Sequence, residues 1–427
     1  MKITFQQIAG MFMLVLAFAG CESVAQDLPQ TAEGIVFLET PADTASLTPE
    51  LVKGSSGQLF LSWTTRNANG SATLHTSSFL NEGWSPASAV AEGKNWFINW
   101  ADFPTLAAHS PQHKAASYLT KSAGGTYTYD VRLTVTRDGG GTWTKGFMPH
   151  TDGVQAEHGF VSLLPWGTDT FKAIWLDGRF TAGGHHGDPS KRAMTLRSAV
   201  FDATGTLTKE FELDDRVCDC CQTAAVRTGP ASALVAYRDR SATEIRDIAV
   251  VRYTDGAWSA PEVVHPDGWQ IAGCPVNGPA LDAVDDVVAI TWFTAAQDTP
   301  RVQFAVSDNN GKTFGAPLMI TDARPAGRVG VALLDENSAV VTWLQPTSNG
   351  GADIKLQMVS WTTPENVIRF APVTIAASKA SRQSGFPQVI ADDSNIVLAW
   401  TEILDSDQTI VKSARLDKKA ALIRMPF

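Results

Sequence analysis

A short apolar run ending in an aromatic residue recurs seven times along the chain: LFLSW at Trp63, KAASY at Tyr118, FKAIW at Trp175, ALVAY at Tyr237, VAITW at Trp292, AVVTW at Trp343 and IVLAW at Trp400. Successive aromatics lie 55, 57, 62, 55, 51 and 57 residues apart, a period that suits one four-stranded blade of a β-propeller. Each copy has an apolar segment before it, an alternating segment after it and a fourth segment that closes the unit, as in GPALDAV, RVQFAVSDNNG and KTFGAPLMI around Trp292. Four strands, A to D, repeated seven times give an all-β propeller; six blades with one repeat as an edge decoration is the alternative count. Two β-sandwiches also contain many short strands, but an aromatic at one fixed place in every repeat argues against them. No stretch carries a sustained helical period, and Gly (34) and Pro (22) are scattered throughout.

The first 20 residues read as a signal peptide. Lys2 precedes the run IAGMFMLVLAFAG, which is too short and wrongly flanked for a spanning helix. Phe18-Ala19-Gly20-Cys21 resembles a bacterial lipoprotein box, which implies acylation of Cys21. Residues 21–33 then read as a tether and 34–427 as a single propeller domain, with GIVFL (34–38) available to close the ring against the last blade. The expected location is the bacterial cell envelope, outside the cytoplasm, with a lipid as the only membrane attachment and a monomeric fold. A net charge of -10 and a pI near 5.3 argue against nucleic acid as a partner.

Two C-to-D turns carry a shared signature: TRDGGGTW (136–143) and SDNNGKTF (307–314), with weaker forms at 253–259 and 80–85. A short acceptor side chain suits turn amides, glycine suits positive φ, and the closing aromatic suits packing between sheets. The pattern resembles the Asp box of the sialidase-like (BNR) propellers, and the chain is similar to bacterial sialidase-like lipoproteins. That resemblance implies a glycan-binding propeller, in its catalytic form an exo-glycosidase. The sialidase catalytic pattern itself is missing: no R-I/L-P motif precedes the first blade, and none of the five tyrosines lies beyond Tyr253.

In a propeller the D-to-A and B-to-C connections share one face, and here they are longer and richer in charge, His and Trp than turns require. WLDGR places Asp177 and Arg179 just past a strand, and YRDRSATEIRD offers Arg238, Asp239, Arg240, Glu244, Arg246 and Asp247 from the next blade. Carboxylates framed by guanidinium groups suit acid/base work on a glycosidic bond and capture of an anionic group. Asp177, Asp239 and Glu244 are the acid/base candidates. Arg179, Arg238, Arg240 and Arg246 are the anion clamps, with Asp247, Trp269, Arg328 and Arg382 as further binding candidates. An inter-blade salt-bridge network is the competing reading of the same residues. Glu157 and His158 precede strand A of blade 3, and Asp102 that of blade 2, so all three aim at the channel mouth; His158 is a candidate base and Asp102 a binding residue.

Three of the chain's five cysteines crowd into VCDCCQTA. With Cys21 lipidated, Cys218, Cys220, Cys221 and Cys274 remain, an even number in an oxidising compartment. Disulfides are the expected state, with Cys274 joined to one of the three and no cofactor needed. The alternative is a soft-metal site, copper or zinc, on Cys218, Cys220 and Cys221 with His185 or His186, in a surface binding or scaffold propeller without catalysis.

Overall fold

The computed structural model describes residues 34–81, 83–181, 193–208 and 210–419. The signal segment, Cys21, His185 and His186 lie outside them. Among the described residues no helix is long and apolar enough to cross a membrane.

Seven antiparallel sheets form a ring, so the count is seven blades and not six. The inner strands are Ser46–Lys53, Leu106–Ala108, His158–Trp166, Ala224–Gly229, Ala280–Val284, Gly327–Asp335 and Gln388–Ala391. Each neighbours the next, and the last returns to the first. The seven recurring aromatics fall on the second strand of each blade, where all but Tyr118 are buried. Alternation along a strand points successive side chains to opposite faces, so each sheet offers one apolar face to each neighbour. The core is accordingly seven separate layers, one at each blade interface. Tyr129, Val131 and Leu133 of blade 2, for example, pack on Phe171, Trp175 and Phe201 of blade 3.

Blade 7 is made from both ends of the described chain. Ile35–Leu38 pairs with Thr409–Asp417, so the early apolar segment supplies the fourth strand of the last sheet. The joint is reinforced by Ala45 N donating to Thr409 O at 2.8 Å, Val411 N to Ser46 Oγ at 2.9 Å and Trp84 Nε1 to Ser413 Oγ at 2.8 Å. Blade 2 departs from the repeat: its sheet has three strands, and its outer position is held by the single bridge between Leu133 and Phe147.

Three inner strands carry a bulge at a residue with positive φ: Thr48 (53°), Phe160 (52°) and Arg328 (55°). A bulge leaves a backbone N–H without its ladder partner. In each case a side chain from the preceding blade or its entry loop accepts it: Thr401 Oγ1 for Thr48 at 3.2 Å, Asp102 Oδ1 for Phe160 at 2.8 Å and Asn277 Oδ1 for Arg328 at 2.7 Å. The residues before two of these bulges are Gly159 and Gly327, where a Cβ would stand 2.0 Å from Asp102 Oδ2 and 2.3 Å from Asn277 Oδ1. Glycine is therefore required by the neighbouring blade's side chain.

On the opposite face the two signature turns close alike. Asp138 Oδ1 accepts from Thr142 N at 2.9 Å and Asn309 Oδ1 from Thr313 N at 3.0 Å; Thr136 Oγ1 and Ser307 Oγ each accept a glycine N–H at 3.0 Å. These residues hold turns and lie away from the loop-rich mouth.

Candidate functional site

The axis of the ring is an open cavity of about 770 Å³, to which every inner strand contributes: Leu51, Ala107, Leu163, Ala225, Leu281, Val331 and Val389. Its wall is of mixed polarity, and two of its acidic members, Glu50 and Asp282, are already engaged. Glu50 accepts Leu106 N at 2.6 Å and Asp282 accepts Leu333 N at 2.8 Å, each tying one blade to the next. The reactive groups sit instead on the rim formed by the D-to-A and B-to-C loops of blades 2 to 5.

At the rim, Tyr129 opens the third strand of blade 2, Tyr129–Thr136, with its ring stacked on Phe97 at 3.9 Å. Its hydroxyl lies 2.6 Å from Asp102 Oδ2 and 2.8 Å from Glu157 Oε1. A phenol has one proton to donate, so two carboxyl groups at these distances require that one of them carries a proton itself. The electrostatics agree: burial pushes Asp102 up to about 7 despite the Tyr129 and Phe160 hydrogen bonds. Burial, aided by the charge of Asp102 and opposed by the Tyr129 hydrogen bond, pushes Glu157 up to about 8. Asp102 is buried and Glu157 half-buried. Glu157 is thus a carboxylic acid that reaches solvent while protonated at neutral pH, the condition for a proton donor.

Beside this group the His158 ring stacks on His150 at 3.9 Å. Its nitrogens stand 3.5 Å from Asp130, 3.4 Å from Asp152 and 3.6 Å from Asp177. Burial opposes the charged imidazole, but Asp130, Asp177 and Asp152 outweigh it and raise His158 above its ordinary value. His158 is fully buried, so it braces the loops and does not reach a bound molecule as a base would.

Most of the expected acid/base and clamp residues are committed to holding loops. Asp177 is fully buried and accepts from Trp175 Nε1 at 2.9 Å and from Arg179 Nε and Nη2 at 2.7 Å. Burial raises it, yet Arg179 and His158 win and hold it down at about 2. Such a carboxylate gives up no proton near neutrality. Arg179 also reaches Glu210 at 2.9 Å. Arg238 is buried and spends its guanidinium on three carbonyls, of Asn277, Arg246 and Phe293, at 2.6–3.0 Å. Glu244 lies between Arg240 and Arg246, 2.7 and 2.8 Å away, and Arg240 first among them holds it below its ordinary value. Asp247 is buried and accepts Gly268 N and Trp269 N at 2.9 and 3.0 Å, which fixes Trp269 against Phe293. Contacts that hold loops, within one blade for Asp177, Arg179 and Glu244 and reaching the connection to the next blade for Arg238 and Asp247, thus account for these five residues.

Asp239 differs: it is half-buried, and burial together with the charge of Asp214 lifts it to about 6. Arg328 donates to Ser381 O and Gly385 O at 2.8 and 3.1 Å and covers Trp100, whose ring stacks on Phe386. Arg382 is exposed in the 3-10 turn Arg382–Ser384. Trp100 and the two arginines make a separate corner of the mouth, between blades 6, 7 and 2.

The cysteines gather as expected, but as free thiols. Cys218 Sγ is 3.7 Å from Cys220 Sγ and 3.6 Å from Cys221 Sγ, against about 2.05 Å for a disulfide. Cys218 is pulled well below the ordinary thiol value by sulfur hydrogen bonds from Cys220 and Cys221 and, against burial, by Arg246.

No protein-family model matches the chain, and no curated protein matches it. Solved structures do share the fold. The polysaccharide lyase Uly1 superposes with a TM-score of 0.51 at 8% identity, over 87% of this chain and 89% of its own. An α-L-arabinofuranosidase from Fusarium graminearum gives 0.49 at 10%, over 93% and 99%. A protein of unknown function from Dyadobacter fermentans gives 0.49 at 12%, over 90% and 98%. At such identities the likeness concerns architecture alone.

Tyr129, Glu157, His150 and Asn277 were not among the residues singled out for roles. Glu157 was legible from its place before an inner strand, whereas nothing local marks Tyr129, which meets its partners only because two blades adjoin.

Proposed function

We propose that the rim between blades 2 and 3 binds a glycan and protonates its glycosidic oxygen, with Glu157 as the acid. The observation that carries this reading is the Tyr129 hydroxyl shared by Asp102 and Glu157 at 2.6 and 2.8 Å. A protonated, half-buried carboxyl beside a second, buried one matches the acid half of glycoside hydrolysis. Asp219, on the facing loop and 3.3 Å from Arg246, offers a second carboxyl on the solvent side. Arg382, exposed at a separate corner of the mouth, offers a charge for an acidic sugar. That a polysaccharide lyase is built on a similar ring is a fold-level analogy in the same direction. The chain works at the cell envelope, outside the cytoplasm, held by a lipid on Cys21.

The test is a panel of aryl glycosides, sialosides and arabinofuranosides included, assayed against pH. The expected result is turnover of at least one member, falling as pH rises through about 8 when Glu157 loses its proton, and abolished in Glu157→Gln with the fold intact. Binding without turnover would leave a recognition propeller in place of an enzyme. Neither binding nor turnover for any member would sink the glycan reading.

A further inference from the structure

Four thiols meet at the junction of blades 4 and 5. The sulfurs of Cys218, Cys220 and Cys221 all lie within 4.8 Å of one another, and Cys220 also groups with Cys274 and Asp219. The trio is brought together by the turn at 218–221, whose entry is pinned by Cys218 N donating to Arg238 O at 3.0 Å.

Two features set this cluster apart from cysteines that only fill space. First, its sulfurs accept hydrogen bonds from outside the trio: Arg246 Nη1 donates to Cys218 Sγ at 3.2 Å and Asn277 N to Cys221 Sγ at 3.3 Å. Donors aimed at sulfur are the partners that orient and tune thiolate ligands around a metal. Secondly, the spacing fits a cation. With metal–sulfur bonds of about 2.3 Å, sulfur–sulfur edges are about 3.8 Å in a tetrahedral site and about 4.0 Å in a trigonal one. The 3.6 and 3.7 Å edges at Cys218 need to open by only a few tenths of an ångström.

We infer that Cys218, Cys220 and Cys221 form a three-sulfur site for a single copper(I) ion, with Cys274 as the outer thiol that delivers it. An all-thiolate set selects soft cations. The compact group holds three sulfurs, with neither imidazole nor carboxylate among the described residues, whereas structural zinc closes a four-ligand tetrahedron. Binding exchanges three S–H protons for one monovalent cation, Cu⁺ + 3 RSH → [Cu(SR)₃]²⁻ + 3 H⁺, with no change of oxidation state. Arg246, already on Cys218, lies where the resulting negative charge accumulates. Access is graded: Cys218 and Cys221 are buried, Cys220 half-buried and Cys274 exposed. An ion arriving at Cys274 and Cys220 therefore passes inward by ligand exchange, with Cys220 common to both steps. The site adjoins the proposed glycan rim at Asp219, but the inference rests on the sulfur geometry alone.

The experiment titrates the reduced, full-length protein anaerobically with copper(I) supplied as its acetonitrile complex, in competition with a chromophoric copper(I) chelator. One copper per chain should be retained, with an ultraviolet thiolate-to-copper charge-transfer band and three sulfur neighbours by X-ray absorption. Cys220→Ser and Cys221→Ser should each weaken binding at least tenfold, with near-ultraviolet circular dichroism showing the fold unchanged. Cys274→Ser should keep the stoichiometry and slow loading. Failure to hold copper against the chelator would overturn the site, as would equal retention by a Cys220→Ser/Cys221→Ser double variant. Zinc bound by four sulfurs including Cys274, with no copper(I) retained, would overturn the copper assignment.

Discussion

Asp102 Oδ1 accepts the backbone N–H of Phe160 at 2.8 Å, across the boundary between blades 2 and 3. The same carboxyl holds Tyr129, so one side chain both caps a bulge and shapes the proposed acid. Gly159 is wedged beneath it, and Gly159→Ala would press a Cβ to 2.0 Å from Asp102 Oδ2. The expected cost is about 1–3 kcal/mol, read as a lowered denaturant midpoint. The same change at Gly83, where a Cβ meets nothing within 4 Å, should leave the midpoint nearly unmoved.

Stability should fall as pH rises from the ordinary carboxylate range through about 8. Asp102 and Glu157 are raised to about 7 and about 8. The folded state therefore holds protons that the unfolded chain releases near pH 4, and stability present below that value is lost as pH climbs through the folded values. The slope is at most about 1.4 kcal/mol per pH unit for each group. Denaturation curves across this range should flatten in Asp102→Asn, which keeps an acceptor for Phe160.

Asp177 has the opposite sign. Held at about 2, it contributes stability that is present above the ordinary carboxylate value and lost as pH falls towards 2. Asp177→Ala removes the buried partner of Arg179, which keeps Glu210 at 2.9 Å, and should cost about 1–3 kcal/mol. Any loss of function in that variant should coincide with a loss of near-ultraviolet circular dichroism.

Arg238 and Arg240 are adjacent in sequence and should behave differently. Arg238→Met strips the hydrogen bonds from three buried carbonyls and should cost at least about 3 kcal/mol. Arg240 pairs with Glu244 at the partly exposed rim, so Arg240→Ala should cost under about 1 kcal/mol. Urea titrations of the two variants distinguish a loop clamp from a ligand clamp.

The ring was legible in the sequence because each blade repeats one buried aromatic and one alternation pattern, both of which are local. Trp63, Trp175 and Trp292 could be placed on second strands from their neighbours alone, and the closing role of residues 34–38 followed from the repeat. The site was legible only by loop. Sequence spacing put Asp177 and Arg238 beside each other on the mouth but gave no sign of how deeply each is buried, and burial decides between clamp and catalyst. Tyr129 and Glu157 lie 28 residues apart, on different blades, so their shared hydrogen bond exists only once two sheets are packed. The cysteines were placed together correctly by topology, whereas their free-thiol state depends on sulfur spacing that topology does not supply.

The pairing of Ile35–Leu38 with Thr409–Asp417 also sets an order of events. A chain made from its amino end has its first strand available long before its partner exists, and the hydrogen bond between Thr40 and Ser413 spans 373 positions. Closure of so long a loop is slow. Until then residues 35–38 form an unsatisfied edge carrying Val36 and Phe37, both exposed even in the finished ring. Six blades can assemble while the seventh waits, and the half-made ring is the form of this protein most open to association with another copy of itself.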